Sequence, residues 1–197
     1  MAQNASHFHD TLTPFALGNG ASITLSTTDK ALYSASAGVV PVFQNGWYNA
    51  FAGKRIHMFL AVQITTAATP GNGTWSIYWG TGADANGTIL AASQASVLAA
   101  NQTNRTAIVE LWASIRTVGA TTTSGSILVT GKVTYDLTLV TAANGGSGIP
   151  IPQNAPAAVA SLDLTGPNII SVQYKRSGST AETAQIVDWQ FDSFTAV

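Results

Sequence analysis

Acid–base or metal chemistry in this chain would have to come from three histidines and nine acidic residues. His7-Phe8-His9 sets two imidazoles two positions apart in an extended segment, where they could share a metal ion, but spacing indicates no third ligand. His57 shares a strand face with Arg55 and Phe59, the ordinary setting of a structural imidazole on a sheet surface. Asp188 and Asp192 point to one face of the last alternating segment. Four residues along a strand span roughly 13 Å, too far for paired-carboxylate glycoside chemistry, so a solvated face is expected for both. Asp163, Glu110 and Glu182 have no partner visible in the sequence. These residues predict no catalytic, metal or cofactor site.

The glycine-rich stretches lead to the same expectation. After Trp79, Gly-Thr-Gly-Ala-Asp-Ala places Ala85 where a dinucleotide fingerprint needs its third glycine, and no amphipathic helix follows. Asp84-Ala-Asn86-Gly87 has part of a calcium-loop spacing but lacks the later bidentate glutamate, so it reads as a turn between strands. Gly125 and Gly131-Lys132 are one residue too far apart for a phosphate-binding loop and lie in a strand pattern. Five Asn-x-Ser/Thr sequons, at Asn4, Asn72, Asn86, Asn101 and Asn104, reflect turn composition. Trp75 and Trp79 share a strand face; a sugar-stacking platform would use such rings, but core filling is the preferred reading.

The elements that must position these residues are strands. Side chains alternate from Lys54 to Thr66, with Ile56, Met58, Leu60, Val62 and Ile64 on one face. Arg105 to Thr117 sets Ala107, Val109, Leu111, Ala113 and Ile115 against Thr106, Glu110, Ser114 and Arg116, with Ile108 and Trp112 breaking the polar face. Ser126 to Val140 opposes Val133, Tyr135, Leu137 and Leu139 to Lys132, Thr134, Asp136 and Thr138. Shorter runs lie at Ser22–Leu25, Val39–Phe43, Thr74–Trp79, Thr88–Ala91, Ala157–Leu162, Ile169–Arg176 and Ala184–Phe194. In the last, Val187, Trp189 and Phe191 are expected inside. Only Gln94–Asn101 could form a short helical turn, and residues 142–156 read as a long crossover packed through Ile149 and Ile151. Turn signals such as Asn45-Gly46 and Asn144-Gly-Gly punctuate the runs. The expected fold is all-β, a two-sheet antiparallel sandwich of the jelly-roll type, with an immunoglobulin-like sandwich as the alternative.

Only 9% of the residues are charged, far below the roughly 25% of ordinary soluble domains, so the surface is weakly protected against self-association. A place in an assembly is expected. The net charge of -1 and scattered cations argue against nucleic acid as a partner, and no apolar run has membrane length. There is no cysteine, which excludes thiolate chemistry. The N-terminus shows neither a basic nor an apolar leader region, so synthesis in a cytoplasm is expected. Residues 1–20 are expected to form an arm and 21–197 a single sandwich domain.

At Trp47-Tyr-Asn-Ala-Phe-Ala-Gly-Lys-Arg-Ile, Tyr78-Trp-Gly-Thr-Gly-Ala-Asp-Ala-Asn-Gly-Thr and Ile169-Ile-Ser-Val-Gln-Tyr-Lys-Arg-Ser-Gly, the chain resembles virion structural proteins of tailed bacteriophages. The likeness spans roughly Ala21 to Phe194 and is one of strand-and-turn cadence, without a catalytic signature. It implies a non-enzymatic homotrimer in the virion that decorates and cements the capsid by binding the major capsid protein. A tail protein is the other possible partner, and the alternative role is a tail-fibre head that binds a receptor or carbohydrate. His7, Phe8, His9 and Leu12 of the arm, with Trp47 and Tyr48, are the expected partner contacts. No cofactor is expected.

Overall fold

The computed structural model describes residues 7–11, 22–32, 53–81, 87–119, 124–141, 148–166, 168–178 and 181–196. They form thirteen strands: β1 (His7–Thr11), β2 (Ile23–Thr24), β3 (Lys30–Ala31), β4 (Arg55–Thr65), β5 (Asn72–Gly80), β6 (Thr88–Ala92), β7 (Ser96–Val97), β8 (Arg105–Thr117), β9 (Gly125–Tyr135), β10 (Ile149–Ile151), β11 (Val159–Leu162), β12 (Ile169–Arg176) and β13 (Thr183–Ala196). The larger sheet runs β1-β13-β4-β8-β9-β10, with β2 also on β13 and β11 also on β9. The smaller runs β3-β12-β5-β6, with β7 also on β5. The pairings are antiparallel, and the chain crosses between sheets at β2–β3, β3–β4, β4–β5, β7–β8, β11–β12 and β12–β13, giving the expected sandwich.

Alternation decides which side of each sheet is dry. Ile56, Met58, Leu60 and Val62 of β4 stand opposite Ala113, Leu111, Val109 and Ala107 of β8, and every one of the eight is 0% exposed. From the smaller sheet Trp75, Ile77 and Trp79 of β5 pair with Tyr174, Val172 and Ile170 of β12 and close the interior. A slip of one residue in any of these strands would turn the whole apolar set outward. The buried indole of Trp75 donates from Nε1 to the Tyr135 hydroxyl of the opposite sheet at 2.7 Å, and its ring lies 4.5 Å from that of Tyr174. Gly73 makes room for Tyr174, because a Cβ there would stand 1.8 Å from the phenol oxygen.

Polar groups pin the ends. Arg176 and Glu182, both buried, pair at 3.7 Å (Nε to Oε2), and Arg176 also donates from Nε to the Leu25 carbonyl at 3.0 Å. Burial pushes the Glu182 carboxyl above its ordinary range. The Asp163 carboxylate accepts from the Thr165 hydroxyl at 2.7 Å, from the Thr165 N–H at 2.8 Å and from the Gly166 N–H, which hold its pKa below the ordinary value. Its carbonyl receives the indole N–H of Trp79 at 2.8 Å, so this loop plugs one end of the core.

Several expectations need correction. Leu137 is 78% exposed, because β9 ends at Tyr135. The Asp136 carboxylate takes the N–H and hydroxyl of Thr138 and turns the chain there, and burial resumes at Leu139. In β13 the pairing slips between Ile186 and Asp188, leaving Val187 as an extra residue. The inward set is therefore Ala184 and Ile186 before the bulge and, as expected, Trp189 and Phe191 after it, with Trp189 partly buried against the core and Val187 only half-buried. Asp188 is exposed as expected, but Asp192 is buried and accepts from Gln190 Nε2 at 2.8 Å. Gln94–Asn101 holds the short strand β7 and a turn rather than a helix. Ile149 and Ile151 pack as expected, as strand β10 on β9. Val39–Phe43 lies outside the described residues. Part of the expected arm is strand β1, paired with β13 from His7–Ala196 to Thr11–Asp192.

Two stability outcomes follow. Tyr135→Phe leaves the Trp75 N–H without its acceptor in a dry interior and should cost about 1–3 kcal/mol. The check is a lower urea midpoint at unchanged slope; an unshifted midpoint would contradict it. Because the folded pKa of Asp163 is lowered, its carboxylate stabilises the fold above the unfolded value near 4, and that contribution is lost as pH falls through the folded pKa. Asp163→Asn should therefore be less stable than wild type at pH 7, with the gap closing in acid. Denaturation series across pH would show it, and a gap constant to low pH would refute it.

Candidate functional site

The two sheets differ in what they leave to solvent. Along β12 of the smaller sheet the residues facing away from the core, Ile169, Ser171 and Gln173, are themselves buried. On the larger sheet the corresponding outward phase stays accessible in the middle of the sheet, where Arg55, Ile108 and Lys132 are exposed and His57, Phe59, Glu110 and Trp112 are half-buried. This outer face of the larger sheet brings Arg55, His57, Glu110, Trp112 and Lys132 together.

Register explains the cluster. Glu110 of β8 stands opposite Phe59 of β4 on one side and Lys132 of β9 on the other; Trp112 stands opposite His57 and Thr130; Ser114 stands opposite Arg55. His57 Nε2 lies 3.3 Å from Glu110 Oε1, within hydrogen-bond distance. Lys132 Nζ lies 4.0 Å from the other carboxylate oxygen of Glu110. The imidazole and indole centroids of His57 and Trp112 are 4.4 Å apart, tilted by 31°, and Phe194 approaches the same indole at 5.5 Å. The Arg55 guanidinium sits 5.5 Å from the Trp112 ring centroid and donates weakly to Ser114 Oγ at 3.4 Å. Trp112 is thus held by a ring on one strand, a second ring on another and a cation above.

Two depressions flank this cluster along β8. One, of about 300 Å³, is bounded by Glu110, Trp112, Gly131 and Lys132. Gly131 lets β9 lie close there: a Cβ would stand 2.2 Å from the Glu110 carbonyl oxygen and 2.8 Å from Leu111 Cα. The other, of about 380 Å³, is bounded by Thr106, Ile108, Thr134, Tyr135, Asp136 and Leu137. Its apolar lip is unusual, since Ile108 is 38% and Leu137 78% exposed. Arg105 pairs with Asp136 at 3.7 Å at its rim, and the Thr138 hydrogen bonds hold the Asp136 carboxyl below its ordinary range.

Hydrogen-bonding groups beside a fixed indole suit binding of a polar ligand with an apolar side. The carboxylates of this face do not converge: Glu110 stands opposite Phe59 on one side of β4, and Asp188 and Asp192 stand opposite Ala61 and His57 on its other side, each roughly 12 Å from Glu110 at Cα by strand spacing and rise. Asp192 is also closed to solvent. Among the described residues no group of three or more metal-ligating side chains forms.

Of the residues expected to contact a partner, His7, Phe8 and His9 lie in β1 at the edge of this sheet, beside Ala196, Thr195 and Phe194 of β13, and their side chains are outside the described set. Leu12, Trp47 and Tyr48 are outside it altogether, as is Asp84-Ala-Asn86. Trp75 and Trp79 are core residues, as preferred. His57 is the expected sheet-surface imidazole. Glu110, Trp112 and Lys132 were missed as a group. The signal was present, since Trp112 interrupts the polar phase of β8, but cross-strand register was needed to place Lys132 and His57 beside it.

No protein-family model and no curated protein matches the chain. Solved structures similar to it include lectin I-B4 from Griffonia simplicifolia in a metal-free form, at 10% identity and TM-score 0.39 over 95% of this chain and 93% of that one. Another is the CBM2 module of the evolved Dit of Lactobacillus casei BL23 phage J-1, at 11% identity and TM-score 0.32 over 79% and 68%. A third is the PL-14 alginate lyase from Aplysia kurodai, at 10% identity and TM-score 0.33 over 86% and 81%. What the outer face does is therefore read from its own side chains.

The ionic contacts of Glu110 are long and half-exposed, so they contribute little to folding. Glu110→Gln should change unfolding stability by less than about 1 kcal/mol. A loss of several kcal/mol in denaturation would show that the cluster is structural.

Proposed function

We propose that this chain is a non-enzymatic structural protein of a virion, a capsid decoration protein that docks on the outer head lattice through the apolar end of its larger sheet. The observation that carries the reading is the depression lipped by Ile108 and Leu137, two large apolar side chains left in water on a surface with few charges. Burying such a side chain is worth roughly 1.5–3 kcal/mol, and a particle offers the contact many times over. A homotrimer would present three copies of the lip together, and the major capsid protein is the partner of choice, with a tail protein in its place if the location is the tail. The absence of charge asymmetry argues against nucleic acid as a ligand.

The second reading, a receptor- or carbohydrate-binding head, is favoured by one feature, the indole of Trp112 beside Glu110 and Lys132. The two readings use different ends of the same face.

Leu137→Asp places a charge on an exposed turn, where folding has no need of leucine. Particles stripped of the protein and refilled with this variant should show at least about tenfold lower occupancy at equal concentration, about 1.4 kcal/mol of binding. Circular dichroism should be unchanged. Equal occupancy of variant and wild type would overturn the docking assignment.

A further inference from the structure

We propose that the slot between Trp112 and the Glu110–Lys132 pair is a saccharide subsite that takes one neutral pyranose residue of a polysaccharide. A pyranose has an apolar C–H face and a rim of adjacent hydroxyls, so it needs an aromatic wall and, within reach of the rim, both an acceptor and a donor. Trp112 supplies the wall. Glu110 Oε2 and Lys132 Nζ, 4.0 Å apart, supply the acceptor and donor. With side chains 41% and 57% exposed, both can turn toward a ligand, and their mutual contact is weak enough to give up.

Rigidity is already in place. His57 sits 4.4 Å from the indole and ties Glu110 at 3.3 Å, Phe194 buttresses the ring at 5.5 Å, and Arg55 lies 5.5 Å from its centroid. The Trp112 ring is thus ordered before any ligand arrives, which lowers the entropic cost of binding. The depression is open and bounded by four residues, which suits one ring laid against the indole rather than an extended peptide with side chains. The pair also sets a preference among sugars: adjacent hydroxyls of a neutral ring satisfy the Glu110 acceptor and the Lys132 donor together, whereas a uronate's carboxylate could use Lys132 or Arg55 but offers Glu110 no donor.

The subsite is separate from the docking lip. Ile108 lies four residues from Trp112 along β8, roughly 13 Å away, so a substitution at the lip leaves the side chains of the slot in place. The inference therefore stands whether or not the docking assignment does.

The test is titration of the full chain with cellohexaose, mannohexaose, laminarihexaose and maltohexaose, and with an oligouronate of the same length, by calorimetry and tryptophan emission. At least one neutral hexasaccharide should bind with a Kd on the order of 1 mM, typical of a shallow single-ring site, and should change the emission. Trp112→Ala should weaken binding by at least about tenfold, Glu110→Gln should weaken it several-fold, and Trp112→Phe should retain most of it. Leu137→Asp should leave it intact, which separates this site from docking. Absence of binding by all four neutral sugars at about 10 mM, binding indifferent to Trp112→Ala, or equal affinity for the oligouronate would overturn the proposal.

Discussion

The sandwich depends on one hydrogen bond made where water cannot enter. Trp75 brings an indole of the smaller sheet fully into the interior, and its N–H would be orphaned there at a cost of about 1–3 kcal/mol. Tyr135, sixty positions further along the chain and on the other sheet, supplies the acceptor at 2.7 Å. Because a hydrogen bond tolerates little displacement, this contact sets how the two sheets lie on each other, while the apolar contacts around it set only that they meet. Tyr174 packs against the same indole, and Gly73 exists in β5 because the phenol oxygen occupies the space of a side chain.

Once the inner faces are set, the outer face follows by strand parity. The residues between Ile56, Met58 and Leu60 are His57 and Phe59, and those between Val109, Leu111 and Ala113 are Glu110 and Trp112. Antiparallel register then brings His57 to Trp112 and Glu110 to Lys132 without a loop being involved. A site on the middle strands of a sheet moves little, which favours recognition by a fixed indole over a site that must close around its ligand. The bulge at Val187 acts in the same plane: it flips the phase of β13 so that Phe191 goes in and Asp192 and Phe194 come out to the edge of the cluster.

Most of this architecture was legible in the sequence, because every second residue of β4 and β8 from Ile56 to Ile64 and from Ala107 to Ile115 is apolar, and that parity is enough to say which face is buried. The failures have local causes. Leu137 continues the alternation of β9 in the sequence, but Asp136 bonds Thr138 and ends the strand, so a capping interaction outweighed the pattern. Val187 fits a strand phase as well as Ile186 does, and a one-residue bulge leaves no compositional mark. The Trp112 cluster was half-legible: the misplaced tryptophan on a polar phase was visible, whereas its neighbours come from strands tens of residues away and were fixed only by pairing. Trp47 and Tyr48, singled out for their position near a turn, lie outside the described residues.

We propose the outer face of the larger sheet as the place where this protein meets its partner. Hydroxyl-radical footprinting of the protein free and bound to particles reads it residue by residue, with Ile89 and Val97 of the smaller sheet, 46% and 38% exposed, as internal references. The account predicts that Ile108 and Leu137 become protected on particles while Ile89 and Val97 oxidise at unchanged rates. Protection of Ile89 and Val97 with Ile108 and Leu137 still reactive would contradict it.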